Sequence, residues 1–367
     1  MKKNTQISYK ILESVGGAFY HNAYDAINEL IQVDSVDWSV VIEQSIKHKL
    51  LPLMWCTFKN CPDFDKIPFY IRDFMSNHYY SNANRTKLTY QHIQKITSIF
   101  EEHNVKYAVV KGLVLENQIY RNQCIKQIFD VDFVIDQKEY ERVCVLLASH
   151  HILSGRMDYL TNTYKPHSRK EYLLFQLTKD HLPEHLVLTG DSVYPVIKID
   201  ITTNSDWINK GEESSNNFLA PDQLMNCEVT KGINIPTLRY EYHFLYIILH
   251  LYRHAWSYRL INRNISIRLH MFNDILLFWL NYKDFILQPL SFLLEEDDEL
   301  RNRVSWVLQH TDRLFGTTIA NELGCNMVRD DLNCAFGKNN QIVCWNGSIQ
   351  DRLWSEKEDL LFFEMER

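Results

Sequence analysis

The sequence predicts an α+β protein, and three observations carry that reading. Helical spacing of apolar residues runs from about Tyr9 to Asn104, short β runs occupy the stretch from Val105 to about Trp207, and helical spacing returns from Tyr240 onward. With 46% hydrophobic residues in 367, the chain can bury a sizeable core. It contains no low-complexity tract, sustained heptads or internal repeat. The expected division is an N-terminal helical region (1–104), a strand-bearing core (105–208) and a mainly helical C-terminal domain (209–367).

In chain order, Ser35 and Asp37 offer N-caps ahead of a helix, and Pro52 behind Lys47-His48-Lys49 should stop it. A helix over 84–103 places Leu88, Ile93, Ile96 and Phe100 on one stripe, suited to packing on the next unit. Strands are expected at 106–110, 131–135, 172–177, 185–188 and 196–201, with a helix at 137–148. A polar stretch at 209–217 and extended character at 229–238 precede helices at 240–254, 268–280, 285–294, 297–315 and 317–323.

The formal charge of −7 supplies no basic field, which disfavours a polynucleotide partner. Behind Met1-Lys2-Lys3 no apolar h-region follows, and no run of eighteen apolar residues occurs, so a cytoplasmic protein without a membrane partner is expected. The eight cysteines form no CxxC pair and no zinc spacing, and are expected to be reduced and mostly buried.

The chemistry concentrates in two motifs. Tyr107-Ala-Val-Val-Lys111-Gly112 reads as a strand breaking into a helix, and Phe129-Asp130-Val131-Asp132-Phe133 opens a second strand with carboxylates at i and i+2. Such residues share a face. Paired carboxylates at the head of a buried strand are costly unless a cation neutralises them, and Mg²⁺ takes oxygen ligands together with substrate phosphates. Asp200, in Val196-Ile-Lys-Ile-Asp200-Ile-Thr, is the candidate third acid, placed to complete a two-metal site or to act as base. Gly112 would let the backbone approach a phosphate, and Lys111 would add a positive charge. The plain alternatives are a structural acid cluster and an ordinary strand exit with an exposed lysine. His250 and His254 stand at i and i+4, but lack a third ligand motif and fit packing better; His150, His151, His181 and His185 show no ligand spacing.

Together these motifs resemble the uncharacterised nucleotidyltransferase family of the DNA polymerase β-like nucleotidyltransferase superfamily. Val110-Lys111-Gly112 is similar to its Leu-Lys-Gly, Asp130-Val131-Asp132 to its Asp-x-Asp, and Asp200-Ile201-Thr202 stands where its third acid lies. His250 to Trp256 and Asn273-Asp274-Ile275-Leu276 are similar to its helical half. The chain departs from the pattern at Lys126, where the family has Arg before Asp-x-Asp, and at Thr202, where it has His. The resemblance implies a small mixed β-sheet core between helical segments. It also implies Mg²⁺, as two ions, on Asp130, Asp132 and Asp200, with Lys111, Gly112 and Lys126 on the nucleotide. The implied reaction transfers a nucleoside monophosphate to a hydroxyl or similar group of a small molecule, peptide or protein, releasing pyrophosphate; AMP from ATP is expected because ATP is the most abundant donor, since nothing in the sequence reads the base. Two other readings stay open: a catalytically degenerate nucleotide- or protein-binding module, and transfer of the γ-phosphoryl.

Overall fold

The computed structural model describes residues 3–33, 36–158, 160–161, 163–178, 181–203, 219–325, 333–336 and 342–365. The polar stretch expected at 209–217 lies outside them, as does the expected boundary at 208. The chain forms two compact units, one from Tyr80–His243 and the other from Met1–Tyr79 with Phe244–Arg367. The division falls inside one long helix and after the first turn of another.

The first helices are α1 (Lys3–His21), α2 (Asp25–Ile31), α3 (Trp38–Lys47) and α4 (Leu51–Phe58). Asp37 caps α3 by accepting from the Ser39 and Val40 N–H groups. Pro52 sits in the first turn of α4, where its missing N–H costs nothing, so the stop expected there is also a start. Helix α5 (Phe69–Glu102) contains the stripe read from sequence, with Ile93, Ile96 and Phe100 buried.

The strand unit continues with β1 (Tyr107–Val110), α6 (Gly112–Gln118), β2 (Asp130–Ile135), α7 (Tyr140–Ser149), β3 (Leu153–Asp158), β4 (Thr163–Pro166), α8 (Arg169–Thr178), β5 (His185–Leu188) and β6 (Val196–Thr202). These strands form one mixed sheet in the order β1-β2-β6-β5-β3-β4. Within this sheet β2 and β6 run parallel, whereas the pairs β1/β2, β5/β6, β3/β5 and β3/β4 are antiparallel. One face buries Val131, Phe133, Ile135, Ile199 and Ile201 against Phe100 and Val143. The Phe100 and Phe133 rings meet edge to face at 5.6 Å. A hairpin of β7 (Leu224–Thr230) and β8 (Ile233–Leu238) completes the unit and lies beside β1.

Two readings of this region are corrected. The strand expected at 172–177 is helix α8, because Ser168 and Glu171 form a reciprocal N-terminal cap: Ser168 N–H donates to Glu171 Oε2 at 2.7 Å and Glu171 N–H to Ser168 Oγ at 3.3 Å. Strands β3 and β4 were absent from the expectation, since their polar sequences carry no alternation. Gly155 permits their pairing, because a Cβ there would stand 2.4 Å from the Lys165 carbonyl oxygen.

The other unit resumes with α9 (Tyr240–Trp256), whose first turn belongs to the strand unit, then α10 (Tyr258–Ile261), α11 (Leu269–Glu296), α12 (Asp298–Phe315) and α13 (Ile319–Glu322). Helix α11 joins the two expected at 268–280 and 285–294, with non-helical backbone at Tyr282 marking their junction. The chain ends in β9 (Cys334–Phe336), β10 (Ile342–Trp345), α14 (Ile349–Trp354) and β11 (Phe362–Met365). Cys334 and Cys344 are register partners across β9 and β10 and form a disulfide, against the expectation of reduced cysteines; the other six form no disulfide. Among the described residues, no helix is long and apolar enough to cross a membrane.

Candidate active site

The parallel pairing of β2 and β6 decides where the acids go. Asp132 is the register partner of Asp200, and Asp130 lies two residues before Asp132 on the same face. Carboxylate oxygens of Asp130, Asp132 and Asp200 consequently all lie within 4.8 Å of one another. Asp130 is exposed, Asp200 intermediate and Asp132 buried. Burial pushes the Asp132 carboxyl up to about 7; the Lys111 charge opposes this, while Asp130 and Asp200 add to it. Lys111 Nζ forms an ion pair with Asp132 Oδ1.

Lys111 is the residue at which β1 becomes α6, and its backbone is unusual. It adopts φ 55 and ψ −132, a conformation that L side chains rarely take. Gly112 beside it has no positive φ, and a Cβ there would meet nothing closer than 3.8 Å. The unusual backbone at this turn is therefore carried by the lysine. Its N–H donates to Nε2 of His243 at 3.0 Å, and Nδ1 of His243 pairs with Gln118 Oε1 at 3.0 Å.

Lys126 is placed differently. Its ammonium lies 6.0 Å from the centroid of the Tyr120 ring, and its N–H donates to Glu116 Oε2 at 2.6 Å. Glu116 is fully buried, and burial raises its carboxyl to about 8 against the lowering effect of hydrogen bonds from the Lys126, Cys124 and Ile125 N–H groups. From the other side, Asn82 Nδ2 donates to the carbonyls of Cys124 and Lys126 at 2.7 and 3.0 Å. Arg121, Asn122 and Cys124 have positive φ, so a carboxyl group and an amide hold a loop that its own backbone preferences would not.

At Asp200 the contribution comes from a residue whose sequence context gave no signal. His181 bridges the backbone of Thr202, and its Nε2 lies 2.6 Å from Asp200 Oδ1. Thr202 itself is buried.

A family model described as uncharacterised nucleotidyltransferase matches residues 34–296, well over half of the chain. The chain belongs to this family. Comparison with curated proteins gives no match. As a member of the nucleotidyltransferase family, the protein is an enzyme of nucleotidyl transfer, and its substrate class is the nucleoside triphosphate. The matched segment contains Lys111, the three aspartates, His181 and His243. Sequence reasoning had missed both histidines and Glu116. The histidines lie far in sequence from the groups they touch, and a lone glutamate in a short amphipathic helix looks like a solvated residue.

Proposed function

We propose that this nucleotidyltransferase moves a nucleoside monophosphate, AMP from ATP, onto a hydroxyl or similar group of a small molecule, peptide or protein, with release of pyrophosphate. The observation that supports this most is the convergence of three carboxylates with Lys111 ion-paired to one of them, in a chain of this family. The donor set is all oxygen, and burial of Asp132 beside two other acids favours a divalent cation, which fits Mg²⁺ on Asp130, Asp132 and Asp200 as one ion or two. Bound there, Mg²⁺ would neutralise phosphate charge and the charge that develops during transfer.

The chain's own groups take the remaining roles. Lys111 meets the β- and γ-phosphates, exchanging its contact with Asp132 for the charge of the leaving group. Asp200, oriented by His181, accepts the proton of the attacking hydroxyl. The acceptor oxygen forms a bond to the α-phosphorus, the bond from that phosphorus to the bridging oxygen breaks, and pyrophosphate leaves with the electron pair. Gly112 follows Lys111 at the same turn, and Lys126 approaches the nucleotide from the loop held by Glu116 and Asn82.

Calorimetry with ATP, GTP, CTP and UTP, with and without Mg²⁺, on the wild type and Asp130→Asn tests this reading. The expected result is Mg²⁺-dependent binding that the substitution removes, with ATP preferred. Binding that ignores both Mg²⁺ and Asp130 would instead indicate the degenerate module. Release of ADP rather than pyrophosphate in turnover would indicate γ-phosphoryl transfer.

A further inference from the structure

The conformation of Lys111 calls for a cause. A non-glycine residue in so sparsely populated a region costs on the order of 1–3 kcal/mol, and such strain persists only where the surroundings over-determine it. Here the surroundings are specific. The Lys111 N–H is held by His243 Nε2 at 3.0 Å, and its carbonyl accepts the Leu115 N–H at 2.8 Å. Two residues earlier in β1, the buried Thr237 hydroxyl donates to the Val109 carbonyl at 2.7 Å. With the amides on both sides of its Cα fixed, Lys111 has its Cα–Cβ direction fixed as well, and that direction brings the ammonium to Asp132.

His243 is suited to this task. To accept the Lys111 N–H its Nε2 must be unprotonated, so the neutral ring carries its proton on Nδ1 and donates it to Gln118 Oε1. The ring is completely buried, and burial, followed by the Lys111 charge, lowers its pKa to about 3. Gln118 ends α6, the helix that Lys111 caps. The contacts close a ring: Lys111 begins the helix, Gln118 ends it, and His243 joins the two.

We propose that His243, oriented by Gln118, is a positioning residue that aims the Lys111 ammonium at the phosphates of the bound nucleoside triphosphate. The proposal rests on the reading of Lys111 as a phosphate partner and adds what holds it in place. His243 touches neither substrate nor acids in this scheme. Its effect passes through the Lys111 backbone.

The test is a double-mutant cycle read as affinity for the tightest-binding of ATP, GTP, CTP and UTP, in the presence of Mg²⁺. His243→Ala should weaken binding about tenfold, the scale expected when a charged group is misplaced by a fraction of an ångström to an ångström. His243→Gln should recover most of the loss, since its amide oxygen can accept from Lys111 N–H while its NH₂ donates to Gln118. In a Lys111→Ala background, His243→Ala should add nothing, because the ammonium it aims is gone. Should His243→Ala fail to fold, Gln118→Leu carries the same two expectations, since it keeps the imidazole and removes the acceptor of its Nδ1 proton. Wild-type affinity in His243→Ala, no recovery with Gln, or losses that multiply with Lys111→Ala would each overturn the positioning role. A wild type that binds none of the four nucleotides overturns the triphosphate reading itself, an outcome separate from the others because it appears before any variant is compared.

Discussion

Each of the two units contains a fully buried histidine that accepts a backbone N–H at 3.0 Å. In the strand unit it is His243, accepting from Lys111; in the helical unit it is His48, whose Nδ1 accepts from Leu269. Both are held neutral: burial, then a nearby lysine charge, depresses each pKa, His48 well below the ordinary value and His243 to about 3. The interaction is the same, but the amides differ. Leu269 is the first residue of α11, whose N-cap residue Arg268 makes no side-chain cap, so His48 supplies from α3's end the acceptor that the helix start lacks. Lys111 begins a helix too, in a strained backbone and with its ammonium on an acid cluster. One contact completes a helix in ordinary geometry; the other holds a conformation that the chain would not choose.

The same contrast extends to buried charge. In the helical unit Arg352 and Glu358 are both buried and paired at 2.8 Å, and Glu358 also meets the Ser266 hydroxyl. In the strand unit the buried carboxylates Asp132 and Glu116 have raised pKa values. Buried polarity serves to tie elements together in one unit, and in the other it is concentrated around the acids and the loop that leads to them. The largest expected effect tests that concentration directly. Asp132→Asn should reduce pyrophosphate release by about a thousandfold or more while leaving the unfolding midpoint at or above that of the wild type, since it removes a costly buried acid. Undiminished turnover would end the assignment of Asp132 to the chemistry.

His48→Ala comes next. It removes the acceptor of a buried N–H and leaves a cavity, for an expected loss of about 2–4 kcal/mol in urea unfolding. If this variant were as stable as the wild type, the structural half of the comparison would fail. A pH-dependent effect separates Glu116 from the acids around Asp132. In the folded chain Glu116 keeps its proton up to about pH 8, whereas its ordinary value is 4.5. Between these values the folded state binds more protons than the unfolded one, so this contribution to stability is greatest below pH 4.5 and falls as pH rises toward 8. The slope is at most about 1.4 kcal/mol per pH unit. Urea midpoints at pH 5 and pH 8 should differ less in Glu116→Gln than in the wild type; an equal difference would remove Glu116 as the titrating group.

How much of this could be read from the chain depended on the range of each signal. The α+β class and most of the elements followed from local periodicity, and β1, β2, β5 and β6 lie where their apolar runs predict. The carboxylate pair was legible because alternation along β2 is a local rule, and Asp200 because a lone acid in an apolar strand is conspicuous. The strand expected at 172–177 is a helix because the capping box spelled by Ser168-Arg-Lys-Glu171 outweighs the short apolar run behind it. The positive φ of Lys111 was not legible for another reason. A Lys-Gly pair suggests that glycine takes the positive φ, but the hydrogen bond from Lys111 to His243 spans 132 positions, and no local rule contains it. His181 stayed hidden likewise, because its contact with Asp200 exists only once the sheet has formed.

The smallest expected effect bears on the strain itself and needs no substrate. Lys111→Ala and Lys111→Gly both remove the ammonium, and both leave Asp132 without that ion-pair partner, so the electrostatic loss is common to the two. They differ in the cost of φ 55 and ψ −132, which an alanine bears and a glycine does not. Glycine also has the larger unfolded-state entropy, which favours alanine by some 0.4–1 kcal/mol wherever the backbone is relaxed. At a relaxed position Lys111→Gly would therefore be the less stable variant. At a strained one the order reverses, and Lys111→Gly should exceed Lys111→Ala by about 1 kcal/mol in urea unfolding. The sign of that difference is the readout. A more stable glycine variant means that the fold sacrifices stability to keep a lysine at this turn, a cost that local packing does not explain and that a required ammonium does. A more stable alanine variant means that the backbone here is relaxed in solution, and it would place Lys111 beside Leu269 as an ordinary helix start.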